Sequence, residues 1–488
     1  MSRTPRSHTG TVILLILLIL LFAAGSGLMI WLCIDIPNHV PQPDSTGSSV
    51  PLPQPDRTDP TTEPTTEPTL PEPEHVVSTA TITSTGDVLM HMPVVDSGRQ
   101  TDGSYNFDSI FRYVTPYTSA ADLAVANLET TLCGTDNGYP YHGYPNFNCP
   151  DEIVTGLRTA GFDMLLTANN HSYDTGIVGY KRTIDTVRDA GLVTLGTMKS
   201  ADEPKYSIQQ INDIKIGMLC YTYAYSVNDK GAPSLNGMPH ISETGICNFF
   251  VPDNLDAFYT EVDGYLQQME AEGAEATVMY IHWGNEYQTY ASDQQKEISQ
   301  KLCDMGIDVI IGGHPHVIQP ISLLQSTVDP EHKTVCLYSM GNAVSNQRLG
   351  NIASISTAHT EDGVLFSVTF CKYSDGTVYL QSVDLIPCWV NRHSAYGRME
   401  YNILPLDPAT REQWQESYAL TDTMFASAEK SYNRTMAIVG DGLTASQEYL
   451  AAAQEARDQY YYDLVYNPDK LATESTETSA ATETSDAA

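Results

Sequence analysis

Six short runs in this chain gather the residue types that bind metals and move protons. They are STGDVLMH (84–91), ANLETT (126–131), TANNHSYDTG (167–176), IHWGNEY (281–287), GGHPHVIQ (312–319) and YSMGNAVSNQ (338–347). Read singly, most have ordinary explanations. Asp87 after Gly86 fits a turn or a helix cap, and Glu129 fits a first-turn helix acid. Asn170-His171 fits a helix cap followed by a turn at Asp174-Thr175-Gly176, and His282 fits a hydrogen-bonded core histidine. His314-Pro315-His316 is harder to reduce, because two imidazoles two residues apart at a strand end point the same way. Gly312-Gly313 in front of them lets the backbone approach a ligand closely.

Taken together, Asp87, Glu129, Asn170, His282, His314 and His316 make a mixed oxygen and nitrogen ligand set. Such a set suits one or two ions of manganese, zinc or iron, and not calcium, which prefers oxygen alone. Glu129 is the acid that can bridge two ions, and a two-metal centre acidifies a water and clamps a tetrahedral transition state. His171, beside Asn170, is the candidate general acid for the leaving group, with Asp174 as its catalytic partner. His91, Asn127, Glu286 and Asn342 are expected on the substrate side.

Each run follows an apolar, β-branched stretch: 76–85, 122–128, 164–169, 276–283, 308–314 and 334–340. Helical stretches fit between them at 152–161, 179–191 and 292–306, the last two ending in Gly. This alternation predicts an α/β fold in which strand carboxyl ends form the ligand crevice. Hairpins are expected at 205–221 around Asn212-Asp213 and at 363–386 around Asp375-Gly376, so the sheet is mixed or doubled. From about 407 to 464 the pattern turns helical and reads as an appendage on the main domain.

The flanks are of another kind. Residues 12–34 form an uncharged apolar run preceded by Arg3 and Arg6, long enough to span a bilayer. An uncleaved anchor after a cytoplasmic N-terminus (1–11) is preferred over a cleaved signal peptide, because the run continues past the small residues 23–27. That puts the bulk of the chain outside the cell. A Pro/Thr/Glu-rich linker (35–76) leads to the main domain (77–390), a mostly helical extension (391–470) and an acidic tail (471–488). Linker and tail lack the apolar content that offsets chain entropy. Net charge is −35, from 25 basic and 60 acidic side chains, which repels phosphate backbones and excludes nucleic acid as a partner. Nine cysteines without a CxxC pair give no zinc ribbon, although Cys133 and Cys149 flank one loop and can pair.

The set GDVLMH, ANLETT, NNHSYDTG, HWGNEY, GGHPHV and YSMGN resembles the CapA family of poly-γ-glutamate capsule synthesis, over about 79–390. That family resembles a branch of the calcineurin-like metallophosphoesterases. The resemblance implies a four-layer α/β/β/α sandwich, here with the C-terminal helical appendage. By position, Asp87 resembles the first metal aspartate and Glu129 the bridging acid. Asn170-His171, His282 and His314 with His316 match the later motifs. Two positions depart from the phosphoesterase pattern: Leu89 stands where a His is expected, with His91 the nearest imidazole, and Glu129 replaces an Asp. The departures leave one or two ions open.

With the apolar run 12–34 as its anchor, the resemblance implies a membrane-anchored, extracytoplasmic protein of capsule biosynthesis. As a metal-dependent hydrolase or transferase it would act on a phosphoester or γ-glutamyl linkage of an anionic cell-surface polymer or its precursor. The alternative is a non-catalytic module that binds such a polymer or associates with capsule synthase subunits. Retention of Asn170-His171 beside the ligand set favours catalysis, since a binder has little use for a general acid.

Overall fold

The computed structural model describes residues 71–395 and 397–471. The expected cytoplasmic segment, the 12–34 anchor, nearly all of the linker and the acidic tail lie outside the described residues. Among the described residues no helix is long and apolar enough to cross a membrane.

In chain order the strands are β1 (Val76–Val88), β2 (Leu123–Leu128), β3 (Met164–Leu166), β4 (Val193–Leu195), β5 (Ser207–Ile211), β6 (Ile214–Tyr223), β7 (Ser226–Val227), β8 (Pro233–Ser234) and β9 (Phe249–Phe250). They continue with β10 (Ala276–His282), β11 (Val309–Gly313), β12 (Ile321–Gln325), β13 (Lys333–Leu337), β14 (Asn342–Val344), β15 (Asp362–Tyr373), β16 (Val378–Ala395) and β17 (Arg398–Pro405). One sheet has the order β17-β16-β15-β1-β2-β3-β4, with β14 also on β1. The other runs β12-β13-β11-β10-β6-β5, with β9 also on β6. The fold is thus mixed α/β, and the sheet is doubled. The expected hairpins are the β5–β6 and β15–β16 pairs.

A strand's side chains alternate between its two faces, and here each face meets a different core. Along β2, Leu123 and Val125 join the core shared by both sheets, while Ala124, Ala126 and Leu128 join one lined by helices. Those helices include α1 (Met92–Gly98), α2 (Asp108–Phe111), α3 (Thr115–Thr118), α4 (Glu152–Thr159) and α5 (Gly176–Asp189). Along β10, Ala276, Val278 and Tyr280 face the shared core, while Met279 and Ile281 pack with α6 (Asp256–Ala271) and α7 (Asp293–Asp304). Burial on both faces is why these strands read as continuous apolar runs. All eight cysteines of the described residues are buried free thiols, so Cys133 and Cys149 do not pair.

The C-terminal segment departs from expectation. Strand pairing continues past residue 390, through β17 to Pro405. After the short α8 (Trp414–Ser417), a single 45-residue helix, α9 (Asp422–Tyr466), packs on β16 of one sheet and β12 of the other. Val439, Leu443 and Leu450 on α9 belong to the core between the sheets. Their helical spacing makes an apolar stripe that needs this burial, so the helix is part of the main body and not an appendage. Arg434 on α9 holds buried Asp362 through Nε at 2.8 Å and Nη2 at 2.6 Å, and Ser431 Oγ donates to the same carboxylate at 2.6 Å. Burial nonetheless pushes the Asp362 carboxyl up to about 6.

Gly442 lets α9 lie against β12, since a Cβ there would sit 1.9 Å from the Ile321 carbonyl oxygen. Gly442→Ala gains helix propensity but must displace backbone. The expected outcome in thermal or urea denaturation is a net loss of about 1–3 kcal/mol. Unchanged stability would contradict this packing.

Candidate metal centre

Strand register sets the first half of the site. Asp87 closes β1 opposite Asn127 of β2, after a bulge at Gly86 that re-aims the aspartate. A Cβ at Gly86 would fall 1.8 Å from the Gly341 carbonyl oxygen, to which the Asp87 N–H donates at 3.0 Å. Glu129 follows β2 by one residue, and both carboxylates are 0% exposed. The Asn127 side-chain amide spans them, donating to Asp87 Oδ1 at 2.8 Å and to Glu129 Oε2 at 3.4 Å. Its own oxygen accepts from Asn169 at 3.1 Å.

The second sheet supplies the imidazoles. His282 ends β10, and its Nε2 lies 2.8 Å from Asn170 Oδ1 and 3.5 Å from Glu129 Oε1. His314 and His316 follow β11 with φ of +95° and +55°, the left-handed region that non-glycine residues rarely adopt. Surrounding bonds hold this turn. Tyr287 N–H donates to the Pro315 carbonyl at 2.8 Å, and the Asn342 amide donates to the His316 carbonyl at 3.2 Å. Both imidazoles reach the Glu129 carboxylate, each in its own group of donor atoms. The two rings belong to different groups that share Glu129, with centroids 5.9 Å apart.

Two groups of donor atoms result: Glu129, His282 and His314, and Asp87, Glu129 and His316. Each group's atoms lie within 4.8 Å of one another, and Glu129 belongs to both. His316 Nδ1 is 3.1 Å from Asp87 Oδ2, and its Nε2 is 3.9 Å from Glu129 Oε1. Glu129 Oε1 and His314 Nδ1 are buried without a hydrogen-bond partner. An orphaned buried carboxylate oxygen and an orphaned imidazole nitrogen are costly unless something else satisfies them, and a divalent ion does. These residues fit a metal. His91, by contrast, joins neither group; it lies at the start of α1, where the Asn346 N–H donates to its Nδ1 at 3.4 Å.

Electrostatics follow from burial and these neighbours. Burial would raise Asp87, but the hydrogen bond and charge of His316, with the charge of His282, hold it below the usual carboxylate value. Burial lowers His314 well below 6.5, and His282, His316 and His171 push the same way, leaving a neutral ligand. Burial and His316 take His91 down to about 4. His316 goes the other way: burial opposes its charge, but Glu129 and Asp87 outweigh it and lift the pKa to about 9.

Beside the ligands lies a separate cluster. His171 Nδ1 donates to Asp174 Oδ2 at 2.7 Å, and the Phe147 N–H donates to the same oxygen at 2.7 Å. Asn236, with φ of +47°, donates to Asp174 Oδ1 at 2.9 Å. Glu286 is exposed at the rim. Asn127 and Asn342, expected on the substrate side, are buried; Asn127 is engaged through both its amide nitrogen and its oxygen, whereas Asn342 donates through its nitrogen to the His316 and Thr360 carbonyls and keeps its oxygen without a partner. Asn169 and Asn236 were not singled out from sequence. Asn169 stands within the TANNH run, whereas Asn236 lies in a segment whose only signal is Asn-Gly.

The family model described as bacterial capsule synthesis protein PGA_cap matches residues 81–347. The chain belongs to this family. The match spans every strand end that carries a ligand and stops before β15 and α9. Among relatives, the PGA biosynthesis protein CapA of Bacillus subtilis (strain 168) is 27% identical over 302 residues, 62% of this chain and 70% of that protein. The capsule biosynthesis protein CapA of Bacillus anthracis is 27% identical over 311 residues, 62% of this chain and 67% of that one. The trifunctional nucleotide phosphoesterase protein YfkN of Bacillus subtilis (strain 168) is 27% identical over 187 residues, covering 35% of this chain and 12% of its own length.

In this PGA_cap protein a metal must displace the proton that His316 carries below about 9. Apparent metal affinity should therefore rise by up to about tenfold per pH unit between 6.5 and 9, then level off. Isothermal titration of the metal-depleted protein across that range checks it, and a flat profile contradicts the assignment.

Proposed function

We propose that this chain is a metal-dependent hydrolase or transferase of capsule biosynthesis, acting on a phosphoester or γ-glutamyl linkage of a cell-surface polymer or its precursor. The observation that carries the reading is Glu129 Oε1, a buried carboxylate oxygen without a hydrogen-bond partner, common to two groups of ligand atoms. One or two divalent ions, of manganese, zinc or iron, would supply Lewis acidity and an acidified water there. Glu129, His282 and His314, with Asn170 alongside, would hold one ion, and Asp87, Glu129 and His316 the other.

The chain's own residues supply the proton chemistry. Asp174 accepts the Nδ1 proton of His171, which fixes the tautomer and leaves Nε2 to exchange a proton with the leaving group. Asn236 and the Phe147 N–H both donate to the Asp174 carboxyl group and fix its position against His171. The names of the two CapA relatives support the capsule pathway, and the phosphoesterase relative supports phosphoester chemistry. The two sheets with helices on their outer sides are read as the four-layer α/β/β/α frame of the metallophosphoesterase type. The apolar run 12–34 supports membrane anchoring with the catalytic part outside the cell. Exposed Tyr460, Tyr462 and Tyr466 at the end of α9 make it the surface this reading assigns to capsule synthase subunits.

Elemental analysis of the purified protein should find a transition metal, and EDTA should lower the melting temperature until manganese or zinc restores it. Glu129→Gln should reduce the metal content at both positions. No bound metal, together with no thermal response to EDTA or to added ions, sinks the proposal. A second variant isolates the proton donor. His171→Ala should keep its metal and lose about 10²–10⁴-fold in hydrolysis of a generic phosphodiester. Unaffected hydrolysis in that variant would remove the general-acid role.

A further inference from the structure

One pocket beside the metal residues has a consistent hydrogen-bond polarity. It holds about 350 Å³, the size of a small-molecule site, and its lining includes His91, Tyr144, Glu286, Tyr287, Asn346 and Gln347. Tyr287 brings it next to the centre, since its ring lies 6.3 Å from that of His316. The Tyr287 backbone is held at φ +64°, a conformation a tyrosine rarely adopts, with its N–H on the Pro315 carbonyl. Strain of this kind persists where the surroundings impose it, and here it fixes the place of one hydroxyl.

Acceptor atoms along this lining are filled from within the protein. Gln347 Nε2 donates to the Tyr287 hydroxyl oxygen at 3.3 Å, and Gln347 Oε1 in turn accepts from Asn342 at 3.0 Å. Asn346 Oδ1 accepts twice, from the Tyr401 hydroxyl at 2.6 Å and from Asn351 Nδ2 at 3.3 Å. Arg392, opposite Tyr401 on the neighbouring strand, sets the direction of the first bond, because a guanidinium donates to the Tyr401 oxygen and never accepts. His91 Nδ1 takes the Asn346 N–H at 3.4 Å. What Tyr287 and Asn346 have left to offer is hydrogen: one O–H and one NH₂ group.

A ligand that matches this lining must accept, and an ionised carboxylate or phosphate group does nothing else. The protein supplies its own example. Glu286 acts on the Tyr287 hydroxyl by hydrogen bond and charge, and it is exposed, so it can turn to solvent when another oxyanion arrives. Positive charge stands behind the donors. Arg392 and Arg348 both act on Tyr401, the second while paired with Glu361. We propose that this pocket is an oxyanion subsite, in which Tyr287 and Asn346 donate to a carboxylate or phosphate group of the substrate that takes the place of Glu286. Its part in the reaction rests on the metalloenzyme proposed above, where it holds a charged group next to the linkage that reacts. Occupancy of the subsite does not depend on metal.

Calorimetric titration of the full chain in detergent, with any metal first removed on a chelating resin, reads the affinity of the side chains alone. The probes are hexa-γ-glutamate, the same peptide with its α-carboxylates converted to carboxamides, and tripolyphosphate. At least one of the two anions should bind, and more tightly than the carboxamide; the tighter of the two identifies the group as carboxylate or phosphate. Tyr287→Phe and Asn346→Asp should each lower that affinity about tenfold or more, the loss of a hydrogen bond to a charged acceptor. Glu286→Gln should raise it about two- to fivefold by removing an exposed like charge. Carboxamide binding as tight as that of both anions, no binding of either anion, or affinities indifferent to Tyr287 and Asn346 would each overturn the proposal. Weaker anion binding in Glu286→Gln would overturn it too, because the ligand would then be donating to that carboxylate. Such a failure leaves the elemental analysis untouched, and an absence of metal leaves this titration untouched.

Discussion

Asp87 and Glu129 bring two carboxyl groups to zero exposure at the meeting of two sheets, where their ion-pair partners among the described residues are histidines. Burying charge in this way is expensive unless it is paired and hydrogen-bonded, and the surroundings show how the cost is met. Asn127 spreads one amide over both acids, and Asn169 fixes Asn127. His316 carries a proton that it would ordinarily give up, held by Glu129 and Asp87. Among the buried polar atoms left without a hydrogen-bond partner are one oxygen of Glu129, one nitrogen of His314 and the side-chain oxygen of Asn342. The protein thus balances most of the buried charge and leaves donor atoms that a cation could satisfy.

The backbone carries the same constraint outward. Two histidines in left-handed conformation cost about 1–3 kcal/mol each and persist only where the surroundings dictate them. Asn342 grips the His316 carbonyl and also the Thr360 carbonyl, just before the start of β15. Two residues on, Asp362 is clamped by Arg434 and Ser431 of α9. On the other side, Gln319 after the turn takes a bond from Gln295, which also caps α7, and donates to the Gln288 and Tyr290 carbonyls. The long helix and the metal residues are therefore joined by short polar links, although α9 contributes no ligand.

Strands and ligand runs were legible because a strand buried on both faces is a bare apolar stretch, and any polar residue at its end stands out. All six expected strands are present with ends shifted by at most a few residues, as are the helices at 152–159, 176–189 and 293–304. Which sheet a strand joins was not legible, because β2 and β10 have the same pattern and differ only in their partners. The division of His314 and His316 between two groups sharing Glu129 was not legible, because the turn that carries them has backbone angles that the residue types disfavour. The α9 stripe was visible as helix, but its burial depends on Gly442 meeting a strand over a hundred residues earlier. Asn236 was invisible because its role comes from a tertiary approach of one loop to Asp174.

β1 is central to its sheet, yet one of its neighbours, β15, comes from far along the chain: Ala80 sits opposite Phe370, and Thr85 opposite Leu365. On a ribosome, the first strand is made early and waits for a partner synthesised nearly three hundred residues later. Pairings this distant in sequence are slow to form, because a long loop must close before any contact rewards it. Asp87 also meets the His316 segment only after β11 is in place. The cluster of acids and histidines is therefore completed late in assembly, and a chain stalled before β15 would expose β1's edge to other strands.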